Sequence, residues 1–129
     1  MILDTTFLID LERELRKQVD GPACAALRSH DMQAALCVTE TVLGELAAGE
    51  SLAERETWER FIAPYRVLSI DRETAWQYGC AFRSLRRSGC IIGANDLWIA
   101  AAGLANHMPV LTRNADEFRR VPGLKVVGY

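Results

Sequence analysis

The chain has 129 residues, 50% of them hydrophobic and 25% charged, with a formal net charge of −2. That size and balance suit one globular domain with its own core, and the weak negative charge excludes a protein that captures nucleic acid through its overall field. No apolar run is long enough to cross a bilayer, and Asp4 and Asp10 interrupt the apolar start a secretory leader would need; a cytoplasmic protein without membrane association is expected.

Residues 1–4 (MILD) read as a short strand, and helical patterning follows from Thr6 to Lys17. Asp20-Gly21-Pro22 breaks it, because proline suits a helix start and not its interior; a second helix is expected from about Ala23 to His30. AALCV (34–38) is the next strand. Helical patterns cover Thr39–Ala48 and Ser51–Ala63, separated at Gly49 and closed by Pro64. RVLSI (66–70) is a third strand, after which Asp71 caps a long helix toward Arg87 that ends at Ser88-Gly89. Residues 94–106 form another helix, and Pro109 opens a fourth strand, PVLT. A short helix around Ala115–Arg120 and a last strand, LKVV, follow. This alternation predicts one domain over residues 1–129: a three-layer α/β sandwich with a central, mostly parallel sheet and helices on both faces. Functional groups in such folds gather beyond the carboxyl ends of the strands.

Cys24, Cys37, Cys80 and Cys90 form no CxxC pair, and His30 and His107 are the chain's only histidines. That spacing does not suit a structural zinc site, so the cysteines read as reduced and mostly buried.

Most acids alternate with arginines on solvated helix faces, but four places stand apart. Asp4 ends the first strand, where it serves equally as a helix cap or as a reactive group. Glu45, in TETVLGELAAG, projects from the edge of an apolar helix face, whereas Glu40 nearby is an ordinary first-turn acid. Asp96 begins NDLWIAAAGLA, a helix apolar nearly all round, where a lone carboxylate is costly unless it caps or is paired; Asn95 is an equally good cap. Asn114, Asp116 and Glu117 follow the PVLT strand and repeat the position of Asp4 after MIL. Carboxylates at two strand ends and on the helices beside them, if they converge, repel one another without a cation. They therefore point to Mg²⁺ or Mn²⁺ held by oxygens and waters, and to the chemistry of a metal-dependent nuclease.

The stretches MILDTTFLID, TETVLGELAAG, IIGANDLWIAAAGLANHMPVLTRNADEF and FRRVPGLKVVGY come in an order that resembles the PIN-domain ribonucleases, in particular the VapC toxins of toxin–antitoxin pairs. The resemblance spans nearly the whole chain. It implies a parallel-sheet α/β fold, endoribonuclease activity with Mg²⁺ or Mn²⁺, an RNA substrate, a homodimer and a cognate antitoxin. Carried over by position, Asp4, Glu45 and Asp96 are the family's first three acids, with Asp4 and Asp96 binding the metal. Many family members carry an aspartate where this chain has Asn114; Asp116, two residues on, is the candidate fourth acid and metal-site group, with Glu117 behind it and Asn114 orienting a water or ligand. Thr6 matches the small polar residue beside the first acid. The implied reaction is in-line attack of an activated water on the phosphodiester, without a covalent enzyme intermediate.

Arg83, Arg86 and Arg87 share a helical face and read either as a solvated face or as contacts for phosphates or an acidic antitoxin segment. Phe7, Leu8, Leu11, Trp58, Phe61 and Ile62 fit an antitoxin groove or the core equally well. Two rival readings remain at this stage. One is a catalytically impaired PIN-fold interaction module, suggested by Asn114. The other is a phosphatase or receiver domain built on Asp4, which lacks the companion acids those chemistries need.

Overall fold

The computed structural model describes residues 1–29 and 35–129 of the chain. Five short strands form one sheet: β1 (Ile2–Leu3), β2 (Cys37–Thr39), β3 (Arg66–Leu68), β4 (Val110–Leu111) and β5 (Val126–Val127). Seven helices connect them: α1 (Thr5–Lys17), α2 (Pro22–Ser29), α3 (Glu40–Ala47), α4 (Arg55–Ile62), α5 (Arg72–Ser88), α6 (Ala94–Ala105) and α7 (Ala115–Phe118). The sheet order is β3-β2-β1-β4-β5, and every neighbouring pair is parallel. This is the three-layer α/β arrangement that the alternation of strands and helices predicts.

Several boundaries shift for physical reasons. The second strand runs to Thr39, whose hydroxyl then accepts the Val42 amide and starts α3 directly, so no loop separates strand from helix. The helix expected from Ser51 is split: a 3-10 turn covers Glu50–Leu52, and α4 begins only at Arg55. The third strand stops at Leu68 because Asp71 caps α5 through the Thr74 amide at 2.8 Å. Gly89 closes that helix with φ of 68°, a left-handed conformation that suits glycine. Residues 30–34, where one predicted helix ends and one predicted strand begins, lie outside the described residues.

Strand β1 sits at the centre. Its neighbours on one side are β2 and β3, and on the other β4 and β5, so the order of the chain reverses between β1 and β4. Right-handed crossovers then put the helices of the two halves on opposite faces. Ile2, Leu3, Val38, Val110 and Leu111 from the strands pack with Phe7, Leu8, Leu11, Leu97, Ile99 and Phe118 from the helices in one core. Helix α6 is buried from Leu97 through Gly103 apart from Trp98, as its nearly continuous apolar sequence predicts. Phe7, Leu8 and Leu11 are wholly enclosed, so they belong to the core rather than to a groove. The cysteines form no disulfide, but only Cys37 is buried; Cys24 and Cys80 are half-buried and Cys90 is exposed, a more open distribution than expected.

Candidate active site

The strand order reverses between β1 and β4, and in open parallel sheets ligands bind beyond the carboxyl ends of the strands at such a point. Asp4 follows β1 and Thr112 follows β4. The Asp4 amide donates to the Leu111 carbonyl at 3.0 Å, which fixes the two strand ends side by side. Asp4 is 1% exposed. Its Oδ2 accepts the hydroxyls of Thr6 at 2.5 Å and Thr112 at 2.7 Å, and more weakly the Thr6 amide at 3.4 Å. The choice between cap and site group thus dissolves. Asp4 caps α1, and the same oxygen that does so is held by two hydroxyls. Among the described residues its Oδ1 makes no hydrogen bond.

Glu45 comes from α3 and is gripped from two other elements. Its Oε2 accepts the Thr5 hydroxyl of α1, and its Oε1 accepts the Asn95 amide of α6 at 2.6 Å. Asn95 is therefore no cap. The cap of α6 is Gly93, which carries no side chain, and Asn95 instead braces a carboxylate. Glu40 stands elsewhere, accepting the Ile70 amide at 3.3 Å on the exposed side.

Asp96, in the first turn of α6, is half-buried. Burial pushes its carboxyl up to about 6, and the charges of Asp4, Glu117 and Glu45 push the same way. These four acids therefore share one electrostatic site. Asp116 stands outside it: its side chain is 94% exposed and pairs with Arg119 at 3.1 Å. Its neighbour Glu117, half-buried on α7, is the acid after β4 whose charge reaches Asp96. The short helix explains this difference between the two neighbours. Adjacent residues on a helix diverge by about 100°, so only one of two consecutive acids can face inward. Asn114 caps α7 by position without a side-chain bond, and its amide donates to the Thr112 hydroxyl at 2.8 Å.

The acids fit a divalent cation by their own chemistry. A buried carboxylate with one oxygen uncommitted, beside three further acids, lacks a neutralising partner. Among the described residues no three of these groups stand close enough to ligate one ion directly. An ion that keeps several waters and takes one or two carboxylates suits that spacing.

Thr5 and Thr112 escaped the sequence reading and Asn95 entered it only as a helix cap, because hydroxyls and amides carry no pattern of their own. Their only signal is adjacency to Asp4, Asp96 and the PVLT strand end. Further from the cleft, Asp10 is buried on α1 and accepts from Arg113 Nη1 at 2.7 and 3.0 Å and from the Tyr129 hydroxyl at 2.8 Å. Burial, and then the bond to Asp10, push the Tyr129 hydroxyl up, so it remains a donor.

The chain is similar to known proteins along most of its length. The PIN domain family matches residues 1–124. The chain is 32% identical over 96 residues to a tRNA(fMet)-specific endonuclease VapC of Salmonella typhimurium, covering 70% of this chain and 73% of that protein. It is 29% identical over 94 residues to ribonuclease VapC2 of Rickettsia felis, with 69% and 70% covered. In fold it is similar to the VapBC2 complex of Rickettsia felis bound to a promoter DNA fragment, with a TM-score of 0.81, 22% identity, and 98% of this chain and 96% of that one covered. A cleft of four acids at the strand reversal and a match along nearly the whole chain lead to one assignment: this chain belongs to the PIN domain family, within its VapC group.

Proposed function

We propose that the chain is a divalent-metal-dependent endoribonuclease, the toxin of a toxin–antitoxin pair, acting in the cytoplasm with Mg²⁺ or Mn²⁺. The observation that carries this reading is the convergence of Asp4, Glu45, Asp96 and Glu117 beyond the ends of β1 and β4. When bound, the ion polarises a water and stabilises charge on the phosphodiester as it is cleaved. The protein's share is positioning. Asp4 and Asp96 would hold the ion, and the hydroxyls of Thr6 and Thr112 occupy Asp4 Oδ2, which leaves Oδ1 without a hydrogen bond among the described residues. Glu45, fixed by Thr5 and Asn95, and Glu117 would order the waters around such an ion. Asp116 is released from the role its sequence position suggested, and Asn114 acts through the turn it opens.

The Glu117 charge supports an active enzyme over an impaired interaction module, because it supplies the fourth acid that Asn114 does not. Membership of the PIN family leaves no place for the phosphatase or receiver reading. The antitoxin seat is the groove between α1 and α4, lined by Glu12, Leu15, Arg16, Leu52, Arg60 and Phe61. Leu15, 56% exposed, offers it an apolar anchor. Arg83, Arg86 and Arg87 are all exposed; Arg83 lies over the Trp76 ring at 5.7 Å. A homodimer is the expected assembly.

The test is incubation of antitoxin-free protein with total RNA in Mg²⁺ or Mn²⁺, in EDTA, and as the Asp4→Asn and Asp96→Asn variants. Cleavage by the wild type alone, and only with metal, is the expected result. Intact RNA with both metals would sink the reading.

A further inference from the structure

Beside the acidic cleft lies a cluster of opposite sign. Asp10, about 1.7 turns along α1 from Asp4, is paired with two arginines: Arg113 Nη1 at 2.7 Å and Arg13 Nη1 at 3.2 Å. One carboxylate cannot balance two guanidinium groups, so one unit of positive charge is left over. The Asp10 side chain is only 12% exposed, whereas Arg13 and Arg113 are 49% and 57% exposed. The carboxylate is thus the buried floor and the arginines are the open rim. Tyr129 completes the floor: its hydroxyl donates to Asp10 Oδ2, and its ring meets Phe7 edge-on at 5.1 Å.

Arg113 uses Nη1 alone for Asp10. Among the described residues its Nε and Nη2 make no hydrogen bond, which leaves one edge of the fork for an anion. The backbone ties this edge to the cleft. The Arg113 amide donates to Thr6 Oγ1 at 3.4 Å, and that hydroxyl is itself bonded to Asp4. Along the helix axis Asp10 stands about 9 Å from Asp4. That is too far to touch the phosphate being cut and close enough for a neighbouring phosphate of the same strand.

We infer that Arg13 and Arg113, seated on Asp10, bind an RNA backbone phosphate beside the scissile one. The inference rests on the ribonuclease reading and adds what that reading lacks. Four carboxylates repel a polyanion, and a cation pair at the rim holds the strand against that repulsion. Asp10 and Tyr129 are positioning residues in this scheme.

The test is binding of a fluorescent single-stranded RNA in an Asp96→Asn background, measured over a range of KCl concentrations. Arg113→Gln and Arg13→Gln should each flatten the slope of log affinity against log salt by about 0.7, the loss of one phosphate contact on a single strand. Arg55→Gln, which removes an exposed α4 arginine paired with Glu59, should leave the slope unchanged. In the Asp96-containing enzyme the same two variants should raise KM and leave kcat nearly constant. Unchanged slopes in folded Arg113→Gln and Arg13→Gln proteins would overturn the inference. If Arg113→Gln fails to fold, Arg13→Gln, half exposed on α1, decides alone. Loss of antitoxin binding with an unchanged RNA slope would assign the arginines to the antitoxin and equally overturn it. Unchanged slopes in the variants beside intact RNA cleavage defeat only this seat, whereas a parent protein that neither binds nor cuts RNA defeats both readings.

Discussion

Thr112 Oγ1 donates to Asp4 Oδ2 at 2.7 Å across 108 residues of sequence. The bond is made where β4 and β1 end side by side, and the same Thr112 oxygen accepts the Asn114 amide. One hydroxyl thus couples the aim of the first acid to the turn that leads to Glu117.

Thr112→Val keeps the shape of the side chain and removes the hydroxyl. Charge-assisted hydrogen bonds of this kind contribute about 1.5–3 kcal/mol, so the variant should lose stability of that order in a denaturant melt. Its kcat on RNA should fall about tenfold or more as Asp4 loses its aim. Thr112→Ser, which retains the donor, should recover most of the activity. Equal activity of Val and Ser variants would remove Thr112 from the site.

Two pairs of acids separate site from surface. Glu45→Gln should impair cleavage, whereas Glu40→Gln, on an exposed carboxylate tied to Ile70, should be nearly silent. Glu117→Gln should impair cleavage, whereas Asp116→Asn, which breaks only an exposed pair with Arg119, should not. Single-turnover rates on one RNA compare all four. Loss in Asp116→Asn with none in Glu117→Gln would restore the assignment made from sequence position.

The raised Asp96 carboxyl gives a signed pH dependence. In the metal-free protein this group binds its proton up to about pH 6, against 3.8 for the ordinary value. Between those values the folded state holds more protons than the unfolded state, so this group's contribution to stability falls as pH rises. Asp71, whose carboxyl is held low by the Thr74 amide, acts in the opposite direction as pH falls. Wild type and Asp96→Asn must therefore be compared: the variant should gain Tm relative to wild type in EDTA as pH goes from 4 to 7. Added Mg²⁺ should raise the wild-type Tm more than the variant's at pH 7. Parallel Tm profiles in EDTA would show that Asp96 is not in an electronegative site.

Gly103 has a packing role. A Cβ there would lie 2.7 Å from Leu124 Cδ1, 3.1 Å from the Met108 carbonyl oxygen and 3.2 Å from Val110 Cγ2. Gly103→Ala should cost about 1–3 kcal/mol, because the backbone carbonyl cannot move aside as a side chain can. Gly44→Ala, where nothing lies within 4 Å, should be tolerated or slightly stabilising in the same thermal melt.

Alternating strands and helices, the Pro22 and Gly89 punctuation and the Asp71 cap all showed in the sequence, since each depends on local chemistry. The order of strands did not, because nothing near MIL states that its partners are Cys37 and Val110. Asp4, Glu45 and Asp96 stood out as acids misplaced against an apolar pattern. Their supports did not: Thr5 and Thr112 are unremarkable, and Asn95 reads as a cap, until folding brings them to a carboxylate. The Asp116 and Glu117 ambiguity had a similar source. Position after β4 is shared by both, and only the rotation of one short helix separates them.

The placement of β1 also sets when the acids can come together. Its first four residues are made first, yet the strand lies mid-sheet between partners that begin at Cys37 and Val110. A growing chain therefore carries Asp4 and then Glu45 before β4 exists to pair with β1, and Asp96 precedes that strand by only a short stretch. The pairing that assembles the site is among the most distant in the fold and cannot form until β4 has emerged from the ribosome. The acids at the ends of β1 and β4 are brought together only once that long-range pairing has formed.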